Sequence, residues 1–272
     1  DGINQILKTN IPFHKIDCTD LNEMENIFES YKDIHACIHF AAFKSVGESV
    51  ENPKKYYKNN IGSTEVLLKS LEKNKYKNLI FSSSCTVYGT PDILPVSENA
   101  PFKKAESPYA ETKQKCEILI EDNSCNSVSL RYFNPIGSHD SILIGDCSSD
   151  NPSNLVPIVA EVACGSREKL IINGNDYNTH DGTCVRDYIH VEDLALAHVK
   201  ALDYLLENNG KYIFNVGTGN GLSVLDIINS FEKVNNVKVN YVIGARRKGD
   251  VEKIYSNDSL IKRTLGWKPV KS

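Results

Sequence analysis

Leu79-Ile80-Phe81-Ser82-Ser83-Ser84-Cys85-Thr86-Val87-Tyr88-Gly89 is an apolar run that breaks into three hydroxyls and closes on a glycine. Such a run reads as a buried strand of a parallel sheet. In an open α/β sheet, ligands bind beyond the carboxyl ends of the strands, which is where these serines fall. Downstream stands Ser107-Pro108-Tyr109-Ala110-Glu111-Thr112-Lys113. Serine just before a helix start and proline just inside it place Tyr109 in the first turn, with Lys113 four residues on over the same face. Alone, a tyrosine and a lysine at this spacing are more often an amphipathic surface than a site. Together with the strand end they bring Ser84, Tyr109 and Lys113 to one place. A cation beside a phenol lowers its pKa from about 10, so Tyr109 is expected to be a general base that Lys113 tunes.

Outward from this pair of stretches, strand and helix patterns alternate. Residues 1–10 read as the tail of a helix, 12–18 as a short strand, 21–28 as an amphipathic helix and 34–40 as a second strand. A helix opens at Pro53 and continues through Leu71, and 127–133 is a further strand. The alternation predicts an α/β protein with a doubly wound parallel sheet. From Pro135 to Pro157 the chain is rich in Gly, Ser, Asp and Pro, which predicts a crossing loop and a boundary. The expected division is a Rossmann-like nucleotide-binding domain over 1–135 and a smaller α/β substrate domain over 136–272. Gly217-Thr218-Gly219-Asn220-Gly221 has the wrong spacing for a dinucleotide turn, Gly-x-Gly-x-Gly instead of Gly-x-Gly-x-x-Gly, and lies far from the first βα turn.

Composition narrows the classes. A chain of 272 residues with 40% hydrophobic content can bury a sizeable core. A formal net charge of -4 supplies no basic field for a nucleic-acid backbone, so no nucleic-acid partner is expected. The eight cysteines are scattered without a Cys-x-x-Cys pair and read as reduced packing residues of a cytoplasmic protein. The seven histidines show no ligand spacing, so no metal is expected. No apolar run approaches the roughly 20 residues that span a bilayer, and no membrane association is expected.

Further stretches carry a resemblance: Arg131-Tyr132-Phe133-Asn134-Pro135, His39-Phe40-Ala41-Ala42-Phe43-Lys44-Ser45-Val46-Gly47-Glu48-Ser49, Asn173-Gly174-Asn175-Asp176-Tyr177 and Val185-Arg186-Asp187-Tyr188-Ile189-His190-Val191. With the serine-rich strand end and Tyr-x-x-x-Lys, almost the whole chain resembles the UDP-glucose 4-epimerase family of the extended short-chain dehydrogenase/reductase superfamily. The resemblance implies NAD-dependent interconversion of UDP-galactose and UDP-glucose by transient oxidation at sugar carbon 4, in a homodimer. It implies Tyr109, Lys113 and Ser84 as catalytic residues, all three also touching NAD. Further cofactor contacts are implied at Asp17, Cys18, Phe40, Ala41, Ala42, Phe43, Lys44, Asn59 and Phe133. Substrate contacts are implied at Asn134, Asn154, Leu155, Ile171, Ile172, Asn173, Arg186, Arg247 and Asp250. Arg186 and Arg247 bring the planar, always-charged fork of donors that a pyrophosphate needs.

The chain departs from the family pattern in places. Ala42 stands where glycine is usual, Asn173 where an aromatic residue is common, and Asp146-Cys147-Ser148-Ser149-Asp150 where a Glu-Asp-Pro run is usual. Ile254 occupies a position that is tyrosine in relatives rejecting N-acetylated sugars. The family's Gly-x-x-Gly-x-x-Gly turn does not precede Asp1, so the numbered chain is expected to begin inside its nucleotide-binding domain. Two other readings stay open: a dehydratase or decarboxylase of the same superfamily, and a non-catalytic nucleotide-binding relative.

Overall fold

The computed structural model describes residues 2–146, 152 and 154–271. In chain order the first half runs α1 (Gly2–Leu7), α2 (Leu21–Ser30), β1 (Cys37–His39), α3 (Val46–Glu51), α4 (Pro53–Tyr56), a π-helical turn (Tyr57–Ile61), α5 (Gly62–Lys73), β2 (Asn78–Ser84), a 3₁₀ turn (Cys85–Tyr88), α6 (Pro108–Asp122), β3 (Asn126–Tyr132) and β4 (Asn134–Ile136). The second half runs α7 (Leu155–Ala163), β5 (Leu170–Asn173), β6 (Val185–Arg186), β7 (Tyr188–His190), α8 (Val191–Glu207), β8 (Lys211–Val216), β9 (Leu222–Ser223), α9 (Val224–Asn235), β10 (Tyr241–Gly244), β11 (Lys253–Ile254) and α10 (Ser259–Leu265).

The main sheet is parallel throughout, in the order β1-β2-β3-β8. Beyond Asn78, every residue of β2 is buried. That is the signature of a strand covered on both faces and the reason its sequence is a continuous run instead of an alternation. One face packs Ile80, Val128, Leu130 and Phe214 against α8, α10 and Trp267. The other packs Leu79 and Phe81 against Met24 and Phe28 of α2, Leu67, Leu68 and Leu71 of α5, and Cys116 and Ile120 of α6. The sheet, its crossovers and its two covered faces are those of a doubly wound α/β fold.

Three expectations are corrected. Residues 12–18 form no strand, because β1 pairs only with β2 and no described strand lies alongside 12–18 to supply a ladder. The strand expected over 34–40 is hydrogen-bonded only over Cys37–His39. The crossing loop is shorter than 135–157, since Asn134–Ile136 pairs with β7 and α7 begins at Leu155. After that crossing the chain returns: β8, from beyond residue 136, is the fourth strand of the main sheet. Elsewhere in the second half lie the small sheets β10-β5 and β11-β6-β9, and β5 packs with α7 and α9 around a separate core of Val159, Val162, Leu170, Ile172, Ile228 and Val239.

Candidate active site

Helix α6 starts as its sequence dictates. Ser107 lies in extended conformation with its hydroxyl accepting from Ala110 N at 3.2 Å, and Pro108 takes the first helical position. A cap of this kind contributes about 1 kcal/mol and fixes where the turn carrying Tyr109 begins. The strand-end hydroxyl of Ser84 meets the Tyr109 phenol. Lys113, only 4% exposed, sends its ammonium to the Ser82 carbonyl at 2.6 Å and lies 4.8 Å from the centre of the Phe81 ring. The three catalytic residues expected from sequence are therefore brought together, at the carboxyl end of β2.

Their electrostatics differ from the expectation. Burial pushes the Tyr109 phenol up to about 12, and the Ser84 hydrogen bond that opposes it does not offset this. The Lys113 ammonium lies 6.0 Å from the Tyr109 ring centre and is committed to Ser82, so in this state it does not bring the phenol toward neutrality. Burial also draws Lys113 itself down to about 8. Desolvation of both groups outweighs the attraction that their spacing suggested.

The loop after β1 is tied down by a residue that sequence reasoning passed over. Asn60, 2% exposed, accepts from Phe43 N at 2.8 Å and donates to Phe43 O at 3.0 Å and Thr112 Oγ1 at 3.1 Å. It sits with Asn59 in the π-helical turn, not in the regular helix expected there, and Asn59 donates to Asn60 Oδ1 at 3.0 Å. π turns of this kind frequently mark functional sites. The only sequence signal was a pair of asparagines inside a helix, where their amides compete with the backbone. The loop holds Ala41 and Ala42, while Phe40 packs against His198 at 4.8 Å between ring centres and Lys44 approaches Asp146 at 3.8 Å. His39 is a satisfied core residue, with Nε2 3.2 Å from Thr64 Oγ1.

Of the remaining cofactor positions, Phe133 is buried with Cys85, Val87, Tyr88 and Ile254 at the strand ends. Asp17 uses its carboxylate to hold Thr19 N and Oγ1, each at 2.8 Å. Cys18 packs on the core beside α2.

The substrate positions fall on the second half. Arg247 grips Asp250 with two bonds, Nε to Oδ2 at 3.2 Å and an Nη to Oδ1 at 2.7 Å, while Arg186 approaches the same Oδ1 at 3.6 Å. One carboxylate thus holds two guanidinium groups side by side. Asn154 caps α7 and Leu155 opens it, so the unpaired amides of that helix start are donors to an anion. Asn134 lies in β4, its amide bonded to Asp187 O at 2.9 Å. In β5, alternation separates Ile171, 56% exposed, from Ile172, which is in the core, so the side chains of this pair do not share a surface. Asn173 is half-buried before Gly174, whose φ of +87° makes the turn. The departure at 146–150 lies, after Asp146, outside the described residues.

Asp187, fully buried, went unnoticed in the sequence. Its carboxylate accepts from Thr218 N and Oγ1, Gly219 N, Ser256 N and Ser256 Oγ. The first of the alternating glycines is explained here: a Cβ at Gly217 would lie 2.5 Å from Ser256 Oγ, so the turn closes on Asp187 only without one. His180, Asp181 and Asp226 also gather, with ligand atoms within 4.8 Å of one another. Both carboxylates serve local structure, Asp181 accepting from Thr183 and Ser223 and Asp226 completing the capping box of α9.

The sequence model of the GDP-mannose 4,6 dehydratase family matches residues 2–272. The UDP-glucose 4-epimerase of Drosophila melanogaster is 45% identical over 98% of this chain and 78% of its own length. The human enzyme of that name is 44% identical over 97% and 77%. Among solved structures, UDP-glucose 4-epimerase from Bifidobacterium longum, in complex with NAD+ and UDP, superposes with a TM-score of 0.96 at 42% identity, covering all of this chain and 82% of that one. With the strand-end serine, the half-buried tyrosine, the buried lysine and the paired arginines all on one chain of this fold, these likenesses show that the chain belongs to the UDP-glucose 4-epimerase family.

Proposed function

We infer that this protein interconverts UDP-galactose and UDP-glucose with NAD, by transient oxidation at sugar carbon 4. The observation that carries the reading is the convergence of Ser84, Tyr109 and Lys113 at one strand end. The NAD+ and UDP named with the Bifidobacterium longum relative support it.

The residues fit the cofactor. The buried Lys113 ammonium has one acceptor among the described residues, the Ser82 carbonyl, which leaves two of its hydrogens for a ribose hydroxyl. NAD supplies the hydride acceptor and then donor, and a positive charge beside the site. Phe40, Ala41, Ala42, Phe43 and Lys44 line its path, with Asn59 and Phe133 at the nicotinamide end and Asp17 and Cys18 toward the adenosine. Tyr109 takes the proton of the sugar 4-hydroxyl as the carbon is oxidised and returns it on reduction, and Ser84 hydrogen-bonds that oxygen. A phenol near 12 is a poor base at neutral pH, so the site operates once added positive charge lowers it.

Arg186 and Arg247 hold the diphosphate, oriented by Asp250, with Asn154 and Leu155 donating from the start of α7. Asn134 contacts the sugar, while Ile171, the Ile172 backbone and Asn173 flank the uracil. The keto sugar turns over while held through this diphosphate and receives the hydride on its other face. Dehydration or decarboxylation is disfavoured by the residues after Ser84. Burial pushes the Cys85 thiol up to about 12, and Thr86 donates its hydroxyl to Ser84 at 3.0 Å, so neither supplies the additional acid.

We place the nucleotide-binding domain at 1–135 plus the returning β8 and the helices α8 and α10 that cover its sheet, and the substrate domain in the remainder of 136–272. The protein acts as a homodimer in the cytoplasm, a reading supported by family membership and by seven free cysteines among the described residues. No helix among the described residues is long and apolar enough to cross a membrane. The deciding experiment is turnover: conversion of UDP-galactose to UDP-glucose with NAD present is expected. A protein that binds both ligands without turnover would establish the non-catalytic reading instead.

A further inference from the structure

Residues Ser83, Arg131 and Asn215 stand side by side on β2, β3 and β8, one step before the strand-end residue Ser84. Ser83, Arg131 and Asn215 are 2%, 3% and 0% exposed. A row of polar side chains across the middle of a buried parallel sheet is costly unless every group is matched. Here the matching group is Glu117 of α6, 6% exposed. Its Oε1 accepts from the Ser83 hydroxyl and from Arg131 Nε at 3.0 Å, and its Oε2 from an Arg131 Nη at 2.6 Å. The other Arg131 Nη donates to Tyr88 Oη at 3.0 Å and Glu98 O at 3.1 Å, and Tyr88 passes the bond to Asn215 Oδ1 at 2.7 Å.

Glu117 lies four residues after Lys113 on the same helix, the spacing at which a carboxylate and an ammonium pair. They do not pair: among the described residues Lys113 has no carboxylate partner and is bonded to Ser82 O. The carboxylate that would neutralise it is instead drawn sideways onto Arg131 and Ser83. Ser83 in turn lies between Ser82, which holds Lys113, and Ser84, which meets Tyr109.

We propose that Glu117 and Arg131 are a positioning pair for Lys113: Arg131 keeps the Glu117 carboxylate off the ammonium, and Glu117 clamps the Ser82–Ser84 strand end to the helix carrying Tyr109 and Lys113. The pair touches neither the cofactor nor the sugar and acts through Lys113 and the strand end. The proposal rests on the catalytic reading of Lys113 given above. Burial draws Lys113 down, opposed by Cys116 and Glu117 on its own helix; Tyr109 on that helix and His39 of β1 are the other titratable groups facing it, and Arg131 of β3 holds Glu117.

The test measures the Lys113 ammonium directly, by 13C titration of lysine-labelled protein with Lys113→Met to assign the signal, alongside the pH profile of turnover. In Arg131→Met the freed carboxylate turns to Lys113, and its titration is expected to move up by at least one pH unit while kcat falls tenfold or more. In Glu117→Gln the Ser83 bond is kept but the charge is lost, and the titration is expected to move down. The double variant Glu117→Gln/Arg131→Met removes both charges together, the change that buried pairs tolerate best, and is expected to titrate close to the parent. If Arg131→Met does not fold, the downward move in Glu117→Gln and its reversal in the double variant still decide. Variants that lose thermal stability with the Lys113 titration unmoved would show a merely structural pair and overturn the proposal. The titration is read without turnover, so a parent protein that fails to epimerise would count against the catalytic reading and not against this pair.

Discussion

Lys113 is 4% exposed on a fifteen-residue helix packed against a strand that is hydrogen-bonded on both sides. Arg247 sits in the segment between β10 and β11 with its side chain 41% exposed, oriented by one carboxylate three residues away. The first region is positioned by regular secondary structure: β2 pairs with β3 over its whole length and with β1 from Leu79 to Phe81, and α6 starts at a fixed cap. The second is positioned by polar staples. Asp187 ties the β6–β7 corner, the glycine turn and Ser256 together, and Asp250 ties Arg186 to Arg247. Rigid, desolvated placement suits groups that move a proton. Groups that hold a flexible diphosphate need charge and donors more than burial.

The sharpest way to break this comparison is Tyr109→Phe, which removes one oxygen from the rigid region and leaves the arginines alone. Turnover of UDP-galactose is expected to fall by about a hundredfold to ten-thousandfold, the usual scale for a positioned acid or base, while UDP binding measured by calorimetry stays within a few fold. Equal losses of binding and turnover would mean that the two regions are not separable.

Next in size is Asp187→Ala, aimed at the staple. It strands donors on two segments, the 218–219 turn and Ser256, each donor costing roughly 1–3 kcal/mol when unsatisfied, and the net loss of stability is expected to be about 4 kcal/mol after relaxation and water entry. Urea unfolding checks it. Asp187→Asn, which keeps one acceptor oxygen, is expected to lose less. A near-neutral Asp187→Ala would show that the small sheets, not the carboxylate, hold the second region together.

The sequence disclosed these two regions unequally, for the same physical reason. Runs such as 79–84 and caps such as Ser107-Pro108 are local patterns, and a covered parallel strand needs nothing distant to be recognised. Ser84, Tyr109 and Lys113 were therefore readable by position. Asp187 and Asn60 act through partners far along the chain, 31 to 69 residues away for Asp187 and up to 52 for Asn60, and no local pattern announces such bonds. The strand expected over 12–18 failed for a related reason: a local β pattern specifies willingness to pair but does not provide the neighbour. The upward push on the Tyr109 phenol was not legible because spacing reports proximity to Lys113 and is silent about how far both groups are desolvated.

A third, smaller effect tests the buried side of the comparison through pH. Burial, and secondarily the Lys113 charge, lowers His39 from 6.5 to about 4. The unfolded chain takes up this proton near 6.5 and the folded chain only near 4, so the stability associated with neutral His39 is complete above 6.5 and is lost as the pH falls toward 4. The loss is about 3 kcal/mol, from roughly 1.4 kcal/mol per pH unit. Urea midpoints at pH 7 and pH 4.5 are expected to differ less in His39→Gln than in the parent. An unchanged difference would place the acid sensitivity elsewhere.

The smallest effect concerns Ile254, where the two regions meet. Its backbone pairs with Arg186 across β11 and β6, while its side chain, 3% exposed, packs in the cluster with Cys85 and Phe133 at the strand ends. On the proposed assignment of Arg186 to the diphosphate and Ser84 to the catalytic end, a residue joined to one by its backbone and packed beside the other is expected to affect how much room a sugar substituent finds. Isoleucine is smaller than tyrosine, and some turnover of UDP-N-acetylglucosamine is expected from the parent protein. Differences of a few methylenes in such a pocket are worth about 1–3 kcal/mol, so Ile254→Tyr is expected to lower kcat/KM for the N-acetylated sugar about tenfold or more relative to UDP-galactose. Overpacking a filled core costs stability and depresses both activities together, which is why the ratio within each variant is the measurement. A ratio that does not move would mean that the acetamido group lies away from Ile254, and that the width of the sugar site is set by the rigid region alone.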